Sequence, residues 1–284
     1  MIFWIASYPK NGNTWLRSLL SAYYFTKDGN FISDKVLKNI PQFPEKKYFD
    51  NFDYDKSIPV STTNFWIKAQ ELINKEKKLK FFKTHNVYGA LNNNEFSNKY
   101  NSIGAVYIVR DPRNVMTSIS NHFEMNKEEA LNFMLNEKKF TYDYFKKNDY
   151  SDFQFISSWE KNYKSWNNNS DFPVKLIKYE DLINKTFYVV KDLINFIDKT
   201  CKIDHNFNKL KAKNAIKTTS FEKLKKIEKN YGFSESVKSK NQDNNKVPFF
   251  HLGPDNNWKK IYDTDFADKI NKIFKENLKE LRYS

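Results

Sequence analysis

The chain opens with Met1-Ile-Phe-Trp-Ile-Ala-Ser-Tyr-Pro-Lys-Asn-Gly-Asn-Thr-Trp15, and this stretch decides the fold. The apolar run from Ile2 to Ala6 is typical of a buried strand, because the strands of a parallel sheet are covered on both faces. A short loop with one glycine follows, and an amphipathic helix is predicted over Trp15 to Phe25. Strand, turn and helix in this order predict the first unit of an α/β fold.

The rest of the chain repeats this alternation. Further strands are predicted at Leu79–Lys83, Gly104–Val109 and Val174–Ile177. Further helices are predicted at 156–166, Leu182–Ile197 and Phe266–Leu281. We therefore expect one α/β domain over residues 1–284, with a central parallel β-sheet flanked by helices. Long loops are expected at about 28–65 and 230–257, where proline and polar residues replace the periodic pattern.

Composition excludes several classes of protein. The 284 residues carry a net charge of +14, and 39% of them are hydrophobic, which is too apolar for a disordered chain. A single cysteine, Cys201, excludes a disulfide scaffold and fits a reducing compartment. No stretch approaches the roughly 18 apolar residues of a membrane span, and the N-terminal run is typical of a strand rather than of a signal peptide. We therefore predict a cytoplasmic protein without a membrane span.

The positive charge has two interpretations. Of the 48 basic residues, 44 are lysines, which fits a biased coding background and a solvated lysine surface. The alternative is an anionic ligand, from nucleic acid to a small phosphate ester. The segment 202–246, with 12 lysines against 5 acidic residues, is the candidate surface for nucleic acid. Composition alone does not choose between the two.

The turn after the first strand is a candidate anion site. Loop amides and a helix N-terminus converge there, Lys10 adds a full charge, and Thr14 adds a hydroxyl. A Walker A loop carries its lysine after the second glycine, whereas Lys10 precedes Gly12. The alternative interpretation is an ordinary strand–helix turn with an Asn or Thr side chain as the helix cap.

A second strand–turn–helix unit carries Arg110, Pro112, Arg113 and Ser118. Pro112 suits the first turn of a helix. Two of the four arginines of the chain fall in this turn, and a guanidinium binds phosphate through two parallel hydrogen bonds, which an ammonium group does not. The alternative is a structural Arg–Asp pair.

These two turns resemble those of sulfotransferases that use 3′-phosphoadenosine 5′-phosphosulfate (PAPS), and the soluble bacterial members more than the animal Golgi enzymes. Tyr8-Pro-Lys-Asn-Gly-Asn-Thr-Trp15 is similar to the 5′-phosphosulfate loop Y-P-K-S-G-[TN]-T-W, with Asn11 in place of serine. The segment 104–123 resembles the 3′-phosphate motif, with Arg110 and Ser118 on its two phosphate-binding positions. The resemblance implies a P-loop-NTPase-like sulfotransferase fold. It also implies a donor-binding loop that consists of Lys10, Asn11, Gly12, Asn13, Thr14 and Trp15.

Weaker matches extend the resemblance to the nucleotide. Leu176-Ile-Lys-Tyr-Glu-Asp-Leu182 resembles L-x-x-Y-E-D-L, whose tyrosine, here Tyr179, reaches the adenosine. Thr219-Ser-Phe221 resembles T-S-F, which contacts adenine, so that Phe221 and Trp15 are expected on opposite faces of the purine. Stacking of a base on an aromatic side chain is worth about 1–3 kcal/mol.

The C-terminal match is partial. His251-Leu-Gly-Pro-Asp-Asn-Asn-Trp-Lys259 resembles R-K-G-x-x-G-D-W-K, in which Gly253 keeps its place. His251 and Leu252 replace the Arg-Lys pair that binds the 3′-phosphate in the family. Lys246 or another lysine of the basic segment is the candidate substitute.

Leu79-Lys-Phe-Phe-Lys-Thr-His85 places a histidine at the carboxyl edge of the predicted sheet, where α/β folds bind ligands. By itself, a lone histidine is more often a surface residue. The resemblance implies that His85 is the catalytic base, since K-T-H is the third motif of the family and imidazole titrates near ~6.5; His122 is its main rival. It further implies that Lys83 stabilises the sulfuryl oxygens and Lys10 the leaving 5′-phosphate, without a metal ion.

The sequence thus predicts transfer of a sulfuryl group from PAPS to an acceptor hydroxyl, with adenosine 3′,5′-bisphosphate (PAP) as product. The predicted partner is a small molecule or a carbohydrate rather than nucleic acid, and a homodimer stays open. Two alternative functions are a P-loop-like nucleotide-dependent kinase and a non-catalytic nucleic-acid-binding protein. The acceptor site is expected at residues 28–78 and 124–150. The aromatic residues of the second stretch belong either to the core or to a cleft: Phe133, Phe140, Tyr142, Tyr144 and Phe145.

Overall fold

Four parallel strands form the central sheet of the structure, a computed structural model that describes residues 1–142, 148–204, 206–241 and 246–283. The described residues form eight strands in all, which are, in chain order, β1 (Ile2–Ala6), β2 (Lys80–Thr84), β3 (Ala90–Leu91), β4 (Asn94–Glu95), β5 (Ser102–Val109), β6 (Phe140–Thr141), β7 (Gln154–Phe155) and β8 (Val174–Lys178). The sheet has the order β2-β1-β5-β8, while β3–β4 and β6–β7 form separate antiparallel ladders. All four predicted strands are confirmed, each within two residues of its expected bounds.

The helices include all those predicted, although the one expected at 156–166 begins only at Trp159 and two others are interrupted. They are α1 (Asn13–Phe25), α2 (Trp66–Asn74), α3 (Pro112–Phe123), α4 (Lys127–Leu135), α5 (Trp159–Asn167), α6 (Tyr179–Asn184), α7 (Thr186–Cys201), α8 (Lys209–Thr218), α9 (Phe221–Tyr231), α10 (Thr264–Ile273) and α11 (Lys275–Glu280). The predicted helix at 182–197 is interrupted at Lys185, whose φ of −132° lies outside the helical region. The predicted helix at 266–281 is likewise divided at Phe274.

Side chains of β1 alternate between two apolar cores, one on each face of the sheet. Ile2, Trp4 and Ala6 belong to one core and Phe3 and Ile5 to the other, and all five are fully buried. Helices α3, α4, α5 and α10 cover the first face, and α1, α7 and α8 cover the second. The result is a single α/β domain in which helices flank a central parallel sheet, as predicted.

The first long loop lies against the edge of the sheet. Between α1 and α2 the structure has only short 3₁₀ helices, at Asp34–Asn39, Lys46–Tyr48 and Ser61–Phe65. The backbone N–H of Lys83 donates to Pro41 (2.8 Å), and the Lys83 carbonyl accepts from Phe43 (2.9 Å). This pairing uses the outer edge of β2, whose backbone groups have no other strand to bond. It brings the loop beside the end of β2.

The second long loop begins after α9, and its described part, 232–241 and 246–257, is held by aromatic side chains. Phe233 and Phe250 are buried and pack on each other, with ring centroids 4.9 Å apart. Among the helices of the described ranges, none has the length and the apolar composition that crossing a bilayer requires. The domain bounds of 1–284 stay a prediction.

Candidate active site

A cavity of about 530 Å³ lies where β1, β2, β5 and β8 end. Its walls include the residues that directly follow β2, β5 and β8, and the loop from Pro9 onward that follows β1. Most of the predicted site residues line it: Lys10, Gly12, Asn13, Thr14, Trp15, Lys83, His85, Arg110, Ser118, Tyr179, Phe221 and Gly253. Asn11 and Thr219 are fully buried outside its lining. The carboxyl edge of the sheet is therefore where the fold brings the motifs together.

The loop from β1 to α1 leaves helix amides available to a ligand. Gly12 caps α1 without a side-chain hydrogen bond, in a left-handed conformation with φ of 102°. The alternative in which Asn or Thr caps the helix is wrong. The amide of Asn13 instead donates to the backbone of Ile5 (3.0 Å), and the hydroxyl of Thr14 donates to Glu235 (2.6 Å). The first N–H groups of α1 are thus not claimed by a capping side chain.

Position 12 needs a glycine for two reasons: its backbone is left-handed, and the Tyr179 ring leaves no space for a side chain. A Cβ atom at this position would lie 2.5 Å from the ring of Tyr179. The Trp15 ring packs edge-on against the same Tyr179 ring, with centroids 5.7 Å apart. Tyr179 therefore ties the end of β8 to the anion loop.

Asn11 connects the loop after β1 to the neighbouring strand β5. Its amide nitrogen donates to the backbone oxygen of Ile108 in β5 (3.3 Å), and its amide oxygen has no hydrogen-bond partner among the described residues. Because Asn11 is fully buried, it fixes the loop to the sheet and does not face the cavity. Its predicted part in donor binding is therefore at most an indirect one.

Lys10 is held over an aromatic ring at the cavity wall. Its Nζ lies 3.9 Å from the ring centroid of Phe249 and 3.4 Å from Nδ1 of His122. Burial lowers the pKa of Lys10 from 10.5 to about 7, while the nearby carboxylate of Glu235 opposes this shift. Lys10 is therefore only partly protonated at neutral pH, and a bound anion would favour its protonated form.

Glu235 is the residue that sequence reasoning missed. Its carboxylate accepts hydrogen bonds from Lys83 (2.8 Å), Arg17 (2.5 Å) and Thr14 (2.6 Å). Burial alone would raise its pKa, but Lys83 and Arg17 hold the pKa of Glu235 well below its usual range. The only signal in the sequence was its partner Arg17, one of four arginines in a lysine-rich chain. Glu235 lies in an irregular loop, where no periodic pattern marks it.

His85 is oriented by the end of the neighbouring strand. Its Nδ1 lies 2.7 Å from the backbone oxygen of Ser7, which only accepts hydrogen bonds, so Nδ1 carries the proton and Nε2 is left as an acceptor. Its backbone is clamped by Gln154, which accepts from the N–H (2.8 Å), and by Asn162, which donates to the carbonyl (2.9 Å). Burial, with the nearby charge of Lys83, lowers the pKa of His85 from 6.5 to about 3. The imidazole is neutral at neutral pH.

His122, the rival base, also lines the cavity. Its Nδ1 accepts from the ammonium of Lys10, and its ring packs against Phe123 and Phe249. Burial keeps the pKa of His122 well below 6.5, with the charge of Lys10 acting in the same direction. The geometry thus places His122 beside Lys10 as a neutral neighbour.

Arg110 also lines the cavity. One of its terminal nitrogens reaches Ser118 (3.5 Å), the other donates to the backbone of Gly253 (3.2 Å), and its guanidinium lies 4.2 Å from the ring centroid of Tyr179. Nε of Arg110 is buried with no partner among the described residues. A structural Arg–Asp pair does exist in this turn, but Arg113 forms it, with Asp111 at 2.7 Å. Arg110 is therefore the arginine that faces the cavity.

Of the two residues expected to contact adenine through the T-S-F motif, only Phe221 lines the cavity. Phe221 lines it and lies against Gly253, where a Cβ would approach the ring to 2.3 Å. The hydroxyl of Thr219 donates to the backbone oxygen of Ala215 (2.7 Å) within the helix region, so the Thr219 side chain is committed elsewhere. Phe221 and Trp15 share the cavity, as the stacking prediction requires.

Lys246, the suggested substitute for the missing Arg-Lys pair, is not part of the cavity lining and is exposed. Lys225 is also absent from the lining, but it contacts two residues that belong to it. Its Nζ donates to the backbone of His251 (3.3 Å) and lies 5.6 Å from the ring centroid of Phe221. Helix α9 therefore brings a lysine of the basic segment into contact with the motif.

The side of the cavity beyond His85 has a polar lining: Gln42, Thr141, Tyr142, Asp152 and Gln154. Of the aromatic residues whose role was left open, Phe133 is in the core, Phe140 is 36% exposed, and Tyr142 lines the cavity. Tyr144 and Phe145 lie outside the described residues. In the described ranges no cluster of three or more His, Cys, Asp or Glu side chains is arranged to hold a metal ion.

The parallel sheet, with two strand–turn–helix units at its carboxyl edge, defines a P-loop-like α/β fold. Residues 2–282 match the model of the sulfotransferase domain, and the chain therefore belongs to the sulfotransferase domain family. This match confirms the predicted family, and the central parallel sheet flanked by helices confirms the predicted fold.

Relatives of known name are distant. The chain is 26% identical to the luciferin sulfotransferase of Photinus pyralis over 223 residues, which is 78% of this chain and 56% of that protein. It is 22% identical to sulfotransferase 1B1 of Mus musculus over 279 residues, 96% of this chain and 81% of that protein. The chain thus spans little more than half the length of the first of these relatives. The structure resembles retinol dehydratase in complex with androsterone and PAP, with a TM-score of 0.59 and 17% identity over 98% of this chain and 80% of that chain.

Proposed function

We propose that this protein transfers the sulfuryl group of PAPS to a hydroxyl group of an acceptor. One observation carries the proposal: Lys10, Lys83, His85 and Arg110, which come from the carboxyl ends of three strands, β1, β2 and β5, line a single cavity. A base, two lysines and an arginine in one cavity suit a substrate that is anionic at two points and reacts at one of them.

The cavity suits PAPS at both of its anionic ends. At one end, the unclaimed amides of α1, the hydroxyl of Thr14 and Lys10 are placed to bind a 5′-phosphosulfate. At the other end, Arg110 has a buried Nε without a described partner, as a site for a 3′-phosphate requires. Between them, Trp15 and Phe221 are the aromatic walls for adenine.

Each of these residues has its own role in the proposed reaction. The bound donor supplies a sulfuryl group joined to a good leaving group, the 5′-phosphate. Nε2 of His85 accepts the proton of the acceptor hydroxyl as that oxygen becomes a nucleophile. Lys83 binds the sulfuryl oxygens, and Lys10 neutralises the charge that develops on the leaving phosphate. Ser7 holds His85 in the tautomer that this step needs.

The acceptor is expected beside His85, on the polar side of the cavity that Thr141, Tyr142 and Gln154 help to form. A hydroxyl on a small molecule suits a site of this size, and a carbohydrate hydroxyl belongs to the same class of acceptor. A cytoplasmic location and a reaction without a metal ion are part of the same proposal. Similarity to cytosolic sulfotransferase 16 of Arabidopsis thaliana supports the location.

Thermal unfolding with three ligands tests the proposal. Stabilisation by PAP in the absence of Mg²⁺ supports the sulfotransferase, since a ligand that binds only the folded state raises the unfolding temperature. Stabilisation by ATP only with Mg²⁺ would indicate a kinase, and stabilisation by an oligonucleotide alone would indicate a nucleic-acid-binding protein. Transfer of label from labelled PAPS to a fraction of host extract then identifies the acceptor.

A further inference from the structure

Glu235 has no part in the proposed chemistry, yet it holds several of the groups that this chemistry needs. Its Oε2 accepts from the hydroxyl of Thr14, and its Oε1 accepts from Lys83 and Arg17. Thr14 and Arg17 lie on α1 and Lys83 lies on β2, so two elements of the fold converge on one carboxylate. The Glu235 side chain is only 18% exposed.

Such a set of donors is an oxyanion site. Two cations and a hydroxyl bind the oxygens of a carboxylate, a sulfonate or a phosphate by the same charge-assisted hydrogen bonds. Thr14 and Lys83 are also groups that the proposed donor requires at its sulfuryl end. An anionic donor and an ionised Glu235 repel each other at such short range in a partly desolvated site. They therefore do not occupy the site together.

We infer that Glu235 is an internal placeholder, which occupies the position of the sulfuryl end of the donor in the free protein and leaves when PAPS binds, so that Arg17 then binds the sulfuryl oxygens. The inference rests on the proposed function, because it takes PAPS as the oxyanion that replaces the carboxylate. It assigns to Arg17 a place in the donor site that the sequence motifs do not give it.

Arg17 is fixed for this role by the first long loop. Its Nε donates to the backbone of Ile40 (2.7 Å) and its Nη2 to the backbone of Leu37 (2.9 Å), while Nη1 donates to Glu235. The two backbone hydrogen bonds hold the guanidinium plane when the carboxylate departs. Nη1 is then directed at whatever anion takes its place.

The surroundings of Glu235 favour rotation of its side chain. On one side Phe233 is buried in the core, and on the other the hydroxyl of Ser236 donates to Glu228 (2.8 Å), so the backbone is held at both ends. Glu235 also lines a second cavity of about 580 Å³, whose walls include Lys46 and Lys47. Its walls also include Glu45 and Asp152, and Lys46 and Lys47 are paired with Asp149 and Glu45, so a carboxylate that turns into this cavity meets charges of both signs.

Calorimetric titration without acceptor tests the exchange. PAPS and PAP are titrated into the wild-type protein, Glu235→Gln and Glu71→Gln. Glutamine keeps the shape of Glu235 and removes its charge, so we expect Glu235→Gln to bind PAPS at least tenfold more tightly and PAP, which has no sulfuryl group, with a smaller gain. Glu71 is exposed on α2 and provides a matched loss of one negative charge, for which no change is expected.

Arg17→Lys tests the second half of the inference. We expect this substitution to weaken the binding of PAPS at least fivefold and the binding of PAP by less, because lysine lacks the fixed guanidinium plane of arginine. Unfolding temperatures confirm that the variants fold, and Glu235→Asp replaces Glu235→Gln if the latter does not. Its shorter side chain reaches the cations less well, so a smaller gain in PAPS affinity is expected.

The outcomes separate the placeholder from the proposed function. A wild-type protein that binds PAPS, together with a Glu235→Gln protein that binds it no better, overturns the placeholder and leaves the function standing. Equal loss of PAPS and PAP affinity in Arg17→Lys overturns the assignment of Arg17 to the sulfuryl end. A folded wild-type protein that binds neither nucleotide overturns the proposed function and the inference with it.

Discussion

Nδ1 of His85 lies 2.7 Å from the backbone oxygen of Ser7, so that a residue after β2 is oriented by a residue after β1. The two strands are neighbours in the sheet, and their ends lie side by side although 78 residues separate Ser7 from His85. This contact fixes the tautomer in which Nε2 is free to accept a proton.

Replacement of His85 by alanine is expected to abolish most turnover. Loss of a general base lowers kcat by about 10²–10⁴-fold, whereas binding of PAP should stay nearly unchanged because His85 lies on the acceptor side. Steady-state kinetics with PAPS and titration with PAP measure the two effects. His122→Ala is the companion variant, and normal turnover in His85→Ala with loss in His122→Ala would assign the base to His122.

The acid limb of the pH profile of kcat/KM is expected to lie at lower pH than an ordinary histidine would give. Burial lowers the pKa of His85 to about 3, so the base of the free protein stays unprotonated well below its ordinary value of 6.5. Since kcat/KM reports the free enzyme, it should not fall through His85 protonation between pH 8 and roughly pH 5. A measured limb centred near 6.5 would show that the ring is more accessible to water than its surroundings indicate.

PAP binding is expected to weaken as the pH rises above about 7. The pKa of Lys10 is lowered to about 7, so its charge is lost on the alkaline side of this value, while bound anions favour the charged form. The dissociation constant should rise by up to about tenfold per pH unit. Calorimetry between pH 6 and 9 measures the slope. Lys10→Arg keeps its charge throughout, and a slope that persists in this variant would exclude Lys10 as its cause.

Arg110→Ala is expected to discriminate between nucleotides. Loss of a hydrogen-bonded charge pair costs about 1.5–3 kcal/mol, which is roughly 10–100-fold in affinity. The loss should apply to adenosine 3′,5′-bisphosphate and largely spare adenosine 5′-phosphate. Competition binding compares the two ligands. Arg282→Ala, an exposed arginine near the C-terminus, is the control, and equal losses for both nucleotides would contradict a 3′-phosphate role.

Gly12→Ala is expected to destabilise the anion loop. The φ of 102° disfavours any side chain, and the new Cβ would lie 2.5 Å from the Tyr179 ring. Backbone strain of this kind costs about 1–3 kcal/mol in the free energy of unfolding, and PAP affinity should fall as well. Gly89→Ala, where a Cβ meets open space, is the matched control. Chemical denaturation measures both, and equal stability would show that the loop adapts.

Local pattern was enough to predict the elements that carry the site. Each strand of the central sheet is predicted because its apolar run is short and buried, whereas the two-residue strands β3, β4, β6 and β7 leave no such run. The turns are predicted because their lysine, glycine and arginine stand at fixed offsets from a strand end. The interruptions within two of the helices are not predicted by the sequence pattern. Lys185 and Phe274 interrupt helices whose apolar periodicity continues across the break, so the pattern contained no stop signal there.

Sequence by itself determined the α/β class, the two anion-binding turns and the identity of His85 and Arg110 as candidates, since these follow from residue type and near-neighbour spacing. Only the tertiary structure decided which groups meet. Thr14 and Glu235 are 221 residues apart in the chain and 2.6 Å apart in space. Their pairing depends on how the second long loop packs through its buried aromatic side chains. An interaction of that range is set by the packing of the whole domain, and no local periodicity encodes it.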